Sequence, residues 1–239
     1  MSIAERLAAV EARVRAASTA ADRPADDVAI LLAVKTQPVG AVLDALLAGA
    51  TILGHNRAQE LVAGAAGLAD APAHEMHFIG HLQSNKVNQV LRHAGCVQTV
   101  DSARLADRLD RATARRRADG EAAGPLAVFV QVNTSGEEAK HGVRPEQAAD
   151  LAATVGAADN LHLRGLMTVG AHSPDVGLVR ASYERLTAVR DTLLAGGAPG
   201  TADARELSMG MSGDLEVAIA AGATMVRVGT AVFGQRPTG

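Results

Sequence analysis

Short apolar runs alternate with longer stretches in which apolar residues recur every three or four positions, and the alternation repeats from Val28 onward. Residues 29–34, AILLAV, are brief, branched and without polar interruption, the pattern of a strand buried on both faces. Similar runs at 51–53, 76–79, 97–100, 126–132, 162–166, 206–208 and 225–228 bring the expected strands to eight. Helical spacing between them predicts helices over 39–48, 58–68, 84–92, 102–118, 145–155, 175–194 and 214–221. Ahead of the first strand, Ile3, Leu7, Val10 and Val14 give one more segment a single apolar face. Eight βα units in about 240 residues predict parallel strands closed into an α/β (β/α)8 TIM barrel, preceded by an extra N-terminal helix. A doubly wound open sheet is the alternative, but no GxGxxG follows the first strand. The small-residue segments 69–74 and 195–204 read as loops and not as linkers, so one domain is expected over 1–239.

Composition narrows the picture. Hydrophobic residues make up 48% of the 239 and aromatics only 2%, so the core must be built from Ala, Val, Leu and Ile. A net charge of −3 with dispersed basic residues speaks against a nucleic-acid surface. No apolar run approaches the roughly 18 residues of a membrane span, and the leading helix lacks an apolar signal core. Cys96 stands alone, which fits a reducing, cytoplasmic setting and a small buried hydrophobe.

In such a barrel, chemistry belongs to the loops after the strands. Those loops read KTQP, GHNRAQE, GHLQSNK, DS, NTSGEEAKHG, MTVG, SMGMSGD and RVGTAVFG, so polar residues gather at one rim. The last two hold Ser208, Gly210, Ser212, Gly213, Gly229 and Thr230 in the two places where this fold often grips a phosphate. Glycines let backbone N–H groups approach an anion, hydroxyls add donors, and Ser212 sits where a helix cap is expected. Closure sets the eighth strand beside the first and brings Lys35, at the end of its apolar run, next to that cup. A lysine in apolar surroundings has its amine form favoured and becomes a carbonyl nucleophile. Lysine and phosphate cup together suggest pyridoxal 5′-phosphate (PLP) or a phosphosugar. A structural ion pair at Lys35 and plain tight turns in the loops are the bland alternatives. Arg227, on the same side of its strand as Gly229, is placed to hydrogen-bond a pyridine nitrogen and to leave it unprotonated.

The stretches AVKTQP, HFIGHLQSNK, VQTVDS, RGLMTVG and LSMGMSGDLEVAIAAGATMVRVGTAVFG, spread over about 28–234, resemble the pyridoxal phosphate homeostasis protein family. These are single-domain relatives of the alanine racemase barrel, PLP fold-type III. The resemblance implies that Lys35 carries the cofactor as an imine, that Ser212, Gly229 and Thr230 hold its phosphate, and that Arg227 faces the ring nitrogen. Asn56, kept within GHNRAQE, joins the cofactor-binding set by the same resemblance. The family usually reads GENYVQE there, so His55 and Arg57 are departures, as is Gln37 where many members carry a second lysine. The implied role is binding, buffering and delivery of PLP to apoenzymes, with no catalytic residues and no robust turnover; a cytoplasmic monomer is expected.

An amino-acid racemase of the same cofactor class is the alternative. Racemisation needs an acid/base group on each face of the cofactor. Lys35 supplies one, while the tyrosine that serves the other face in two-domain racemases belongs to a domain not expected here. The sole tyrosine, Tyr183, is expected to pack within a helix. An aldolase would need a further acid/base, for which His55, His77 and His81 are the candidates. The spacing His74, His77, His81 also suggests a metal. Because His77 falls near a strand start and His81 in the following loop, convergence, and hence a metal, is not expected. Lys140 and Lys86 are expected as solvated rim amines.

Overall fold

The computed structural model describes residues 1–234. Eight parallel strands close in chain order: β1 (Ala29–Ala33), β2 (Ile52–His55), β3 (Glu75–Phe78), β4 (Cys96–Val100), β5 (Leu126–Gln131), β6 (Leu161–Met167), β7 (Glu206–Met211) and β8 (Met225–Val228). The helices are α1 (Ile3–Ala20), α2 (Val39–Leu47), α3 (Ala58–Gly67), α4 (Val87–Leu91), α5 (Ala103–Ala118), α6 (Pro145–Gly156), α7 (Val176–Gly196), α8 (Leu215–Ala220) and α9 (Thr230–Phe233). The barrel and the leading helix are those the apolar periodicity predicts. Differences lie at the ends of elements. The segment expected as one helix over 84–92 opens as a 3-10 turn, Ser84–Lys86, before α4. The β7 ladder runs on to Met211, and α9 follows β8 where only a loop is expected.

Alternation along the strands sorts the side chains into two populations, because successive residues face opposite sides of a strand. Leu32, Leu53, Phe78, Val97, Val128, Leu166, Leu207 and Val226 join the apolar shell between barrel and helices. Cys96, Phe129 and Met167 form a separate cluster. Around it stand polar residues, His77, Gln98, Ser208 and Arg227, all buried.

The closing seam decides where the site sits. β1 pairs with β8 in the register Leu31↔Arg227 and Leu32↔Val228. α1 begins with a capping box, in which the Ser2 hydroxyl accepts from the Glu5 N–H and Glu5 accepts from the Ser2 N–H. Its buried stripe of Leu7, Val10 and Val14 packs the helix on α8 and α9, beside that seam. Full burial of such side chains is worth roughly 1.5–3 kcal/mol each, enough to hold α1 there.

Candidate functional site

Arg227 is the most deeply buried charge among the described residues. Its Nη1 donates to the Ser208 carbonyl (2.6 Å) and hydroxyl (3.0 Å), and its Nη2 donates to the Thr168 carbonyl (2.7 Å). Burial pushes the guanidinium down to about 10, opposed by Tyr183 and Asp214, so it stays charged at neutral pH. These contacts occupy three of the five N–H donors of a guanidinium and leave capacity for a further acceptor.

Because arginine only donates, it fixes the polarity of everything behind it. The Ser208 hydroxyl, receiving from Arg227, donates to Gln98 Oε1 (2.7 Å). The Gln98 amide nitrogen then faces His77 Nδ1 (2.8 Å) and Met225 Sδ (3.1 Å). His77 therefore carries its proton on Nε2, donated to Glu75 (2.9 Å), and this bond holds Glu75 below the usual carboxylate range. The relay joins β8, β7, β4 and β3 across the barrel interior. Ser208 is thus a prop for Arg227, which corrects its expected place in the phosphate cup. Sequence reasoning missed Gln98 and passed over His77 as a prop. The signal was there, a polar residue at alternate positions of otherwise apolar strands.

Ser212, Gly229 and Thr230 do come together. The Ser212 hydroxyl accepts long hydrogen bonds from the N–H groups of Gly229 (3.3 Å) and Ala231 (3.4 Å). Two backbone donors thus converge on one oxygen without a short bond to it, a donor set suited to an anionic oxygen. Gly229 lies close over β1, where an added β-carbon would sit 3.1 Å from the Ala33 carbonyl oxygen. The expected cap role of Ser212 is corrected. The N-cap of α8 is Asp214, and its carboxylate accepts from the Met211 N–H (2.6 Å) and the Tyr183 hydroxyl (2.9 Å). The longer β7 ladder pushes the helix start past Ser212.

Lys35 departs from expectation in its surroundings. β1 ends at Ala33, Val34 is buried, and Lys35 is exposed in the turn that follows. The chain turns there because Thr36 adopts φ +53°, a left-handed conformation rare for a β-branched residue, on the way to Pro38. Strain of this kind, of order 1–3 kcal/mol, clusters at functional sites. Closure still sets this turn beside Gly229 on the rim.

Asn56 is half-buried just beyond β2, and its Oδ1 is buried without a hydrogen-bond partner. Gly80 holds it from behind, since a β-carbon there would run into the Asn56 carbonyl. His55 points the other way, under α3, where an added β-carbon on Gly64 would lie 2.9 Å from its ring. Both its ring nitrogens lack partners. Burial, with His74 nearby, pushes it down to about 4, so it is no acid/base for the rim. Lys140 donates to Glu137 (2.6 Å) and the Gly170 carbonyl (2.7 Å) and is half-buried, a tether and not a solvated amine. Tyr183 is fully buried on α7, as expected, and burial together with Asp214 raises its pKa.

The family model for the alanine racemase N-terminal domain matches residues 6–237. The pyridoxal phosphate homeostasis protein of Pseudomonas aeruginosa is 42% identical, covering 100% of this chain and 97% of that protein. Its namesake from Vibrio cholerae is 39% identical, covering 98% and 97%. Among solved structures, an unknown protein from Bifidobacterium adolescentis superposes with a TM-score of 0.90 at 42% identity, covering 97% of this chain and 94% of that one. PipY of Synechococcus elongatus, solved with PLP bound, gives 0.83 at 31% identity, covering 97% and 100%.

Proposed function

The chain belongs to the pyridoxal phosphate homeostasis protein family, built on the alanine racemase N-terminal domain fold, and on that premise we propose that it binds PLP at the β7–β8–β1 seam through Lys35. The observation that carries this is the meeting of three chemistries along one seam. They are a primary amine on the rim, converging backbone donors at Gly229 and Ala231, and the buried guanidinium of Arg227. The residues present fit the group: Lys35 for its aldehyde carbon, Ser212, Gly229 and Thr230 for its phosphate, Arg227 for its ring nitrogen, and the orphaned Asn56 Oδ1 as a further polar contact. When bound, PLP supplies an aldehyde that condenses with an amine, with loss of water, and a ring that draws electrons.

What this chain does to that chemistry is chiefly restraint. Arg227 stays protonated and donates without giving its proton away, so a ring nitrogen held against it remains a plain acceptor and the ring a weak electron sink. The relay through Ser208, Gln98 and His77 keeps the guanidinium fixed in that role. Tyr183, the one tyrosine of the sequence, has its hydroxyl engaged by Asp214 and is withdrawn from solvent. These features support a protein that holds and hands on PLP to apoenzymes without robust turnover. The reading extends to a single-domain, cytoplasmic monomer. No helix among the described residues is long and apolar enough to cross a membrane.

The test is borohydride treatment of the PLP-loaded protein followed by peptide mapping. The cofactor should be fixed on the peptide containing Lys35, and Lys35→Ala should lose the visible absorption. Label found chiefly on Lys140 or Lys86 would overturn the assignment.

A further inference from the structure

Across the mouth from the cofactor seam, the loops after β3, β4 and β5 bring His81, Asp101 and His141 together. One ligand atom from each lies within 4.8 Å of the other two. His81 Nδ1 is 3.7 Å from Asp101 Oδ2, and the two imidazole rings lie 4.0 Å apart, inclined by 12°. We infer that these three side chains form a binding site for one divalent transition-metal ion, with zinc the ion they suit best. This is a site the spacing of His74, His77 and His81 does not foretell. His77 is locked in the barrel relay, and His74 bonds the Pro72 carbonyl (2.8 Å).

The chemistry of the donors points to the ion. Two imidazoles and one carboxylate match the ligand class of zinc sites that keep a position open for water, whereas calcium and magnesium prefer oxygen alone. At zinc bond lengths, neighbouring ligands in a tetrahedron stand roughly 3.3 Å apart. The observed spacings thus need a contraction of at most about 1.5 Å, within reach of two exposed histidine side chains. One ring must also turn out of the stack. Ring lone pairs lie in the ring planes, and two nearly parallel planes do not meet at an ion.

Meanwhile the backbone beside each ligand is already anchored. The Thr99 hydroxyl donates to the carbonyl of Gly80, next to His81 (2.7 Å). Ser102, next to Asp101, caps α5 by accepting from the Leu105 N–H (3.3 Å). The His141 carbonyl accepts from Gln131 Nε2 (3.0 Å). Supports of this kind orient metal ligands from behind. The site shares no residue with the proposed PLP set, so it stands or falls without it.

The experiment uses untagged, chelator-treated full-length protein. Calorimetric titration with Zn²⁺ should give one ion per chain, and Co²⁺ should develop a visible ligand-field band. His81→Ala and His141→Ala should each weaken Zn²⁺ binding by at least about ten-fold and abolish the Co²⁺ band, and Asp101→Asn should weaken both. His93→Ala and His162→Ala, at exposed histidines elsewhere, should change neither. NMR should show the His81 and His141 ring signals shifting together as their stack opens. The rings are exposed, and unchanged thermal unfolding of the variants would show that lost binding is not lost fold. Absence of binding below millimolar Zn²⁺, or binding that survives both histidine substitutions, would overturn the inference.

Discussion

At the scale of single residues, the direction of a hydrogen-bond chain is set by its one donor-only member. Arg227 orients Ser208, Ser208 orients Gln98, and Gln98 selects the His77 tautomer. Gln98→Leu would leave the Ser208 O–H without an acceptor and His77 Nδ1 without a donor, both buried, a cost of roughly 1–3 kcal/mol for each. Ser208→Ala alone should cost less. The double variant should be less destabilised than the two single changes predict by addition, because both act on one chain. Denaturant midpoints of the four proteins measure this, and strict additivity would show that the relay is not a unit. On the rim, Ser212→Ala and Thr230→Val each remove a hydroxyl proposed to touch the phosphate. A hydrogen bond to a charged group is worth roughly 1.5–3 kcal/mol, so PLP affinity should fall about ten-fold or more. Pyridoxal, which lacks the phosphate, should bind as before, and equal losses for both ligands would mean that these loops only shape the barrel.

Between elements, the packing of α3 over β2 stores a pH dependence. His55 is buried there with neither ring nitrogen bonded, and its pKa falls from an ordinary 6.5 to about 4, chiefly through burial. Between those values the unfolded chain binds more protons than the folded one. Stability from this residue is therefore full above pH 6.5 and is lost as pH falls toward 4, by about 3 kcal/mol in all. His55→Leu should flatten that limb of the stability–pH curve in urea titrations. Matching wild-type and variant profiles over the window would show that α3 lifts to hydrate the ring. The same two elements frame the orphaned Asn56, so protonation of His55 should also loosen whatever Asn56 holds.

Whole-molecule behaviour follows from what the barrel brings together and what it keeps apart. Lys35 reaches the rim at the seam, while Tyr183 is spent on Asp214, and in the proposed binding mode Arg227 leaves a bound ring a poor electron sink. Slow α-proton chemistry is the expected result. Holo-protein incubated with L- and D-alanine in heavy water should lose the α-proton far more slowly than an enzyme turning over at roughly 1 s⁻¹, while still passing PLP to an apoenzyme. Exchange at enzymatic rates would replace the carrier reading with a racemase and would demand a second base.

The apolar periodicity of the chain was sufficient for the eight strands, the leading helix and the barrel, because parallel strands wrapped by helices leave a two-faced apolar signature that little else produces. The adjacency of Lys35 and the glycine-rich last loops was equally legible, since closure of a chain-ordered barrel makes its first and last strands neighbours. Tertiary structure alone decided the rest. Contacts that cross the barrel interior, such as Gln98 with Ser208, join residues 110 apart and leave no local spacing to read. Loop ends depend on strain and ladder length. Thr36 turns Lys35 out to solvent, and the extension of β7 to Met211 moves the cap from Ser212 to Asp214. The meeting of His81, Asp101 and His141 is of the same kind, a product of three loops whose proximity only the closed barrel creates.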